Sequence, residues 1–215
     1  MEAVIFDMDG VVIDTEDYWP EKEREIFREA IAEEVDVSEV VDRVKGIFYR
    51  EIYGILDDEY EMRMDEEEFI GRYDDAAEEI YLERAERMEG FEGIIEMLRS
   101  NGIKVGLATS SPLKWLRKAV EHFDLDPNFD VMVSAEEIDE PGKPGPHIYL
   151  HAAEELGVEP GECVAVEDSR NGMEAAKRAG MHVIGYGATE GQDISEADGR
   201  ARDPGELKEE LESLV

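Results

Sequence analysis

Ala3-Val-Ile-Phe-Asp7-Met-Asp9-Gly10 opens the chain with four apolar residues that stop abruptly at two acids and a glycine. A short, uninterrupted apolar run bounded in this way is the mark of a strand buried on both faces. The same texture returns after Gly90, where apolar runs alternate with helical segments. The pattern predicts a helix over 93–100 ended by Asn101-Gly102, a strand over 104–108, and a helix opened by Pro112 and reaching about 123. A strand over 131–134, a helix from Pro146 closed by Gly157, a strand over 163–166, a helix over 172–179 closed by Gly180 and a strand over 182–186 follow. Strands alternating with helices imply a parallel sheet covered on both faces. The first strand belongs to that sheet.

Between them the texture differs. From about 18 to 88 the chain is acidic and helical, with almost no strand candidates. Pro20 can open a helix reaching about 34, Ser38 can cap a second, and Asp65 can cap a long third helix through Met88. Phe69, Tyr73, Ala76, Ala77 and Ile80 recur there at helical spacing. The expected architecture is therefore α/β: a Rossmann-like parallel sheet core (1–14 and 89–215) with an inserted α-helical cap domain (15–88).

The 215 residues carry 22 Lys+Arg against 57 Asp+Glu, a formal charge of −35. Neutralising nucleic-acid phosphates takes clustered Lys and Arg, so this balance excludes a general basic binding surface. It does not indicate disorder, because hydrophobic residues make up 42% of the chain and fall in periodic blocks. The single cysteine, Cys163, excludes an intramolecular disulfide and fits a reducing compartment. No apolar run approaches membrane-spanning length, and no basic leader precedes the first strand. The expectation is a cytoplasmic, untargeted protein with no membrane or nucleic-acid partner, a monomer or weak homo-oligomer. The acids are spread over nearly every expected helix and only eight of the basic residues are Lys, which reads as a solvated sheath adapted to molar salt, where self-repulsion is screened within about 3 Å.

In open parallel sheets, ligands bind at the carboxyl ends of the strands. Four polar groupings fall there: Asp7-Met-Asp9-Gly10, Thr109-Ser110-Ser111, Gly142-Lys143-Pro144 and Glu167-Asp168-Ser169. Taken singly, each has an ordinary explanation as a turn, a helix cap or a solvated lysine. Their convergence on one rim is what carries chemistry. Carboxylates from two strands make a hard oxygen site suited to Mg²⁺, hydroxyls and helix N-termini hold phosphate oxygens, and a lysine brings a phosphate dianion beside a carboxylate nucleophile.

These four groupings, in this order, resemble the four motifs of the haloacid dehalogenase superfamily. The stretch Glu167-Asp168-Ser169-Arg-Asn-Gly172-Met-Glu-Ala-Ala176-Lys-Arg-Ala-Gly180 is similar to its β-phosphoglucomutase-like and phosphoglycolate-phosphatase-like branch. The resemblance implies that Asp7 attacks phosphorus to form an aspartyl-phosphate. Asp9 would protonate the leaving oxygen and then activate water, with its backbone carbonyl on Mg²⁺. Thr109 and Ser110 would hold phosphate oxygens, Lys143 would steady nucleophile and phosphate, Asp168 would bind the metal, and Glu167 would help directly or through water. The implied metal group is Asp7, Asp9, Glu167 and Asp168.

In the cap, Lys45-Gly46-Ile-Phe-Tyr49-Arg50 resembles the substrate-approaching segment of this branch, making Lys45, Tyr49 and Arg50 candidates for specificity. An arginine is expected at Tyr49 in sugar-phosphate mutases, and a histidine near Trp19, so both departures favour hydrolysis. Tyr18, Trp19, Phe48 and Tyr49 are read chiefly as cap core, with lining of the site as the alternative; Trp115 is read as packing. His147 is read as structural. The expected activity is Mg²⁺-dependent hydrolysis of a small phosphorylated metabolite, a sugar phosphate or phosphoglycolate. A β-phosphoglucomutase-like transferase and a non-catalytic phospho-signalling or binding module are the alternatives.

The charge reading predicts a steep fall in melting temperature when molar KCl is replaced by dilute buffer. Thermal unfolding across a salt series checks this, and an unchanged midpoint would exclude salt adaptation.

Overall fold

The computed structural model describes residues 1–15, 17–187 and 193–215. From the N-terminus run β1 (Ala3–Phe6) and the two-residue β2 (Ile13–Asp14), followed by α1 (Tyr18–Ala30), α2 (Val37–Val44), α3 (Tyr49–Glu59) and α4 (Glu66–Glu79). A π-helical turn, Ile80–Arg84, then leads into β3 (Glu86–Arg87) and α5 (Phe91–Ser100). The rest alternates: β4 (Lys104–Thr109), α6 (Leu113–Phe123), β5 (Val131–Ser134), α7 (His147–Leu156), β6 (Cys163–Glu167), α8 (Arg170–Arg178), β7 (His182–Tyr186), β8 (Gly199–Ala201) and α9 (Pro204–Glu212).

Six strands form one sheet in the order β5-β4-β1-β6-β7-β8, and every pairing is parallel. β1 is central and fully buried. Its side chains alternate as a pleated strand requires: Val4 and Phe6 enter one apolar cluster, Ala3 and Ile5 the other. The second cluster packs α7 and α8 on that face, whereas the first includes α5 and α9 and continues through Met8, Val11 and Val12 into the helices between β2 and β3. Strand order reverses beside β1, because β4 and β5 extend to one side while β6 to β8 return on the other. Such a switch point opens a crevice at the strands' carboxyl ends.

The segment from α1 to the π-helical turn leaves and re-enters the sheet domain through a narrow clip. β2 pairs antiparallel with β3, Ile13 opposite Arg87 and Asp14 opposite Glu86. Within the segment α1 packs on α2 and α4, and α3 packs on α4.

The sheet strands follow the sequence pattern closely, while several helix limits move. α1 begins at Tyr18 rather than Pro20, leaving Pro20 in the first turn where its missing N–H is not needed, and it stops at Ala30 rather than near 34. α2 is capped by Asp36, whose carboxylate accepts from the Ser38 N–H, rather than by Ser38. Asp65 caps α4 as expected, accepting from the Glu68 N–H at 2.9 Å, but the helix yields to the π-helical turn instead of reaching Met88. Helix α3 has no side-chain cap and an internal Gly54, so its sequence carries no start signal. The strand pair β2–β3 is two residues long, too short for any periodicity to show.

Candidate active site

Three strand ends meet at the switch point. Asp7 is the first residue beyond β1, Thr109 is the last of β4, and Glu167 is the last of β6, followed at once by Asp168 and Ser169. Ser169 caps α8, its Oγ accepting from the Gly172 N–H at 3.0 Å. The chain before α7 brings in Lys143, only 2% exposed.

Lys143 Nζ donates to Asp7 Oδ1 at 2.7 Å and to Glu167 Oε1 at 2.5 Å. Burial works against the ammonium charge, yet the two carboxylates hold its pKa above the ordinary lysine value. Glu167, with no solvent exposure, is the anchor of this arrangement. Its Oε1 also accepts from the Tyr149 hydroxyl, and its Oε2 accepts from the backbone N–H groups of Asp168 and Ser169 and from Ser169 Oγ. A buried carboxylate needs such pairing to remain charged. Gly172 makes the packing feasible: a Cβ there would fall inside the Glu167 carboxylate.

Asp9 is held differently. Its carboxylate accepts from Thr15 Oγ1 at 3.1 Å, Trp19 Nε1 at 3.2 Å, Tyr81 Oη at 2.7 Å and Ser111 Oγ at 2.9 Å. Burial raises its pKa although all four donors pull it down. Two of those donors, Trp19 and Tyr81, come from the helical segment and one, Ser111, from the sheet domain. A carboxyl with a raised pKa, fixed by donors, is suited to give and take a proton.

Asp7, Asp9, Lys143, Thr109, Ser110 and Asp168 line one cavity of about 100 Å³, closed on its far side by the helical segment. Thr109 Oγ1 accepts from the Ser111 N–H, and Ser110 Oγ donates to the Gly46 carbonyl at 2.8 Å. Lys45 also lines the cavity, its Nζ 2.9 Å from Asp168 Oδ2. Gly46, at φ 78°, adopts the left-handed backbone that lets this loop approach Ser169, which a Cβ would meet. Tyr49 lines the cavity, but Arg50 does not: it is exposed, its guanidinium 5.5 Å from the Tyr49 ring centroid. The sequence candidate Arg50 is thereby displaced, since one residue along a helix turns a side chain by about 100°.

Trp115, read as packing from sequence, and Trp19, read chiefly as cap core with lining of the site as the alternative, both line the cavity, with centroids 5.3 Å apart in a stacked pair. Tyr73 joins them, whereas Tyr18 and Phe48 pack against the apolar core as expected. Tyr81 and Glu23 were not singled out from sequence. Tyr81 continues the apolar stripe of Phe69, Tyr73 and Ala77 at four-residue spacing, so its sequence reads as core and gives no sign that its hydroxyl reaches Asp9. Glu23 does give one: with Ile26, Phe27 and Ala30 it completes the buried stripe of α1 at i, i+3, i+4 and i+7. Burial pushes its carboxyl up to about 7, with the Tyr73 hydroxyl and Lys45 pulling the other way.

The donor set fits a hard divalent cation. Oxygen atoms of Asp7, Glu167 and Asp168 lie within 4.8 Å of one another, and burial, then the neighbouring Glu167 charge, drives the Asp7 pKa well above the usual carboxylate range despite Lys143. Such crowding of carboxylates is what Mg²⁺ relieves. Both Glu167 oxygens already receive donors, so Asp7 and Asp168 are the side chains best placed to ligate. The Asp9 carboxylate lies outside this cluster.

A family model described as haloacid dehalogenase-like hydrolase matches residues 4–186. The chain is 38% identical over 190 residues to a phosphorylated carbohydrates phosphatase of Thermotoga maritima, covering 87% of this chain and 85% of that protein. It is 36% identical to hexitol phosphatase B of Escherichia coli, covering 88% and 85%. Among solved structures, a β-phosphoglucomutase from Clostridium difficile superposes with a TM-score of 0.77 at 27% identity, covering 100% of this chain and 96% of that one.

Two outcomes follow from this geometry. Gly172→Ala forces Glu167 aside and costs about 1–3 kcal/mol by overpacking, measurable by denaturant unfolding, together with a loss of activity. For Glu23, the folded state holds its proton between about pH 4.5 and 7 while the unfolded chain does not, so wild-type stability falls as pH rises through that window. Glu23→Gln removes this loss: its midpoint should match wild type below pH 4.5 and exceed it above pH 7 by the equivalent of about 3 kcal/mol. A difference independent of pH would refute the assignment.

Proposed function

The chain belongs to the haloacid dehalogenase-like hydrolase family, and from that premise we propose that it is a Mg²⁺-dependent phosphatase of small phosphomonoesters, working through an aspartyl-phosphate on Asp7. The observation that carries the reading is the buried Lys143 ammonium, which fixes Asp7 at the switch-point crevice with Asp9 beside it in the same cavity. Relatives named for phosphorylated carbohydrate and hexitol phosphatase activity support a sugar or polyol phosphate as substrate.

Asp7 attacks phosphorus as the ester P–O bond breaks, and the leaving oxygen takes the proton that Asp9 holds. Asp9, now ionised, accepts a proton from water as that water attacks phosphorus, releasing inorganic phosphate and restoring Asp7. Lys143 keeps the Asp7 carboxylate oriented and offsets charge as the phosphoryl group arrives. The Thr109 and Ser110 hydroxyls, at the end of β4 in the same cavity, face phosphate oxygens. Mg²⁺, held by Asp7, Asp168 and the Asp9 carbonyl, would screen the repulsion between phosphate and nucleophile.

In this reading residues 15–88 form a cap that excludes bulk water, and the acidic surface serves a cytoplasm rich in salt. Among the described residues no helix is long and apolar enough to cross a membrane. The lack of a histidine in the region of Tyr18, Trp19 and Pro20, where a mutase would carry one, and an exposed Arg50 that does not line the cavity favour hydrolysis over phosphoryl transfer between sugar positions.

Phosphate release from a panel of metabolite phosphoesters, with Mg²⁺ in concentrated KCl, is the direct test. Asp7→Asn should lower turnover by about 10⁴-fold or more with a native circular dichroism spectrum, and chelation should abolish activity until Mg²⁺ is restored. Retained activity in Asp7→Asn refutes the nucleophile, and isomerisation dependent on a sugar bisphosphate, without phosphate release, establishes the mutase instead.

A further inference from the structure

Two polar groups on the helical wall of the cavity have no part in the reaction above. Glu23 is 9% exposed and carries its carboxylate among aromatic rings. Its Oε1 accepts from Tyr73 Oη at 3.0 Å, while no hydrogen bond reaches Oε2 from the described residues. Tyr49, 3% exposed, lines the same cavity, and its hydroxyl has no hydrogen-bond partner among the described residues. A carboxylate without an ion pair and a hydroxyl without a partner both cost stability when buried. Groups retained at such cost on the wall of the cavity that holds Asp7 and Asp9 are explained when a ligand completes them.

The surrounding surface narrows what that ligand is. Trp19 and Trp115 stack, and Tyr73 lies nearly parallel to Trp115, with 7° between the planes. Aromatic faces pack against the C–H surface of a carbon chain, while Glu23 and Tyr49 are left to bond its hydroxyls. In the phosphatase reading the phosphate lies with Asp7 and Lys143 of the sheet domain, whereas Glu23 and Tyr49 come from the helical segment, so Glu23 addresses the rest of the molecule. Above about pH 7, where Glu23 gives up its proton, its carboxylate accepts O–H groups and repels another carboxylate; Lys45, the cation nearest in effect, is already paired with Asp168.

We propose that Glu23, oriented by Tyr73, is the specificity-determining residue that selects a neutral hydroxyl-bearing phosphoester, a sugar or polyol phosphate, over one ending in a carboxylate such as phosphoglycolate. This rests on the phosphatase reading and divides the two substrate classes that reading leaves open.

The test compares wild type with Glu23→Gln on sorbitol 6-phosphate and phosphoglycolate, with Mg²⁺ in molar KCl at a pH well above 7, where Glu23 is ionised, measuring kcat and KM for each. Wild type should prefer sorbitol 6-phosphate. In Glu23→Gln the ratio of the two kcat/KM values should fall at least tenfold, through a higher KM for sorbitol 6-phosphate and a lower one for phosphoglycolate, since the amide donates to a carboxylate. Tyr73→Phe, which frees the carboxylate to turn, should weaken the preference in the same direction. A ratio unchanged within twofold, or both substrates falling in parallel, overturns the role of Glu23 while leaving the phosphatase reading intact. Hydrolysis of neither ester, nor of any other in the panel, by folded wild type overturns the phosphatase reading and this inference with it.

Discussion

A single buried ammonium organises the crevice. Lys143 sits between Asp7 at the end of β1 and Glu167 at the end of β6, so the two strands flanking the switch point are tied by one charge. Removing Lys143 leaves two buried carboxylates without their counter-charge, which is far costlier than losing a surface pair. The remaining donors to Glu167 then become intelligible: Tyr149 from α7 shares Oε1 with Lys143, while the Asp168 and Ser169 N–H groups and Ser169 Oγ, just before α8, satisfy Oε2. The helices on that face are positioned by this carboxylate as well as by apolar packing, and Gly172 is the small residue that lets α8 come close enough.

Against that rigid half, the Asp9 side is assembled from two bodies. Ser111 belongs to the sheet domain, and Trp19 and Tyr81 belong to the helical segment. The Asp9 carboxyl therefore has its full set of hydrogen bonds only when the two halves are together. More polar contacts join them: Asn171 donates to the Lys45 carbonyl, Gly142 N–H donates to Glu51, and Lys45 reaches Asp168. In a chain of charge −35 these few directed contacts do what diffuse attraction cannot, because salt screening leaves short hydrogen bonds largely untouched while it quiets the acidic surface.

The sheet and the rim were legible in the sequence because both are written locally. Apolar runs with abrupt polar ends mark β1, β4 and β6, and the residues at those ends are the ones that meet in the crevice. Lys143 was legible only through the motif it belongs to; nothing in Gly142-Lys143-Pro144 by itself says that the lysine is 2% exposed. The cap wall was much less readable. Tyr81 reads as one more apolar-stripe residue after Tyr73 and Ala77, and the aromatic stack of Trp19, Tyr73 and Trp115 joins residues from three helices whose mutual placement no local pattern encodes. Glu23 was legible in principle as an acid standing in an apolar stripe, but in a protein with 57 acidic residues one more carboxylate does not stand out. α3 and the β2–β3 clip lack caps or length and emerge only from packing.

The hydrogen bond from Ser110 Oγ to the Gly46 carbonyl deserves its consequence. On the proposed reading, the hydroxyl that faces phosphate is the same one that fastens the cap loop to the sheet domain. It has one proton to give. An arriving phosphate and the cap carbonyl compete for it, so ligand entry proceeds as an exchange: the substrate loosens the door by taking over the latch, and departure of the product returns the hydrogen to Gly46.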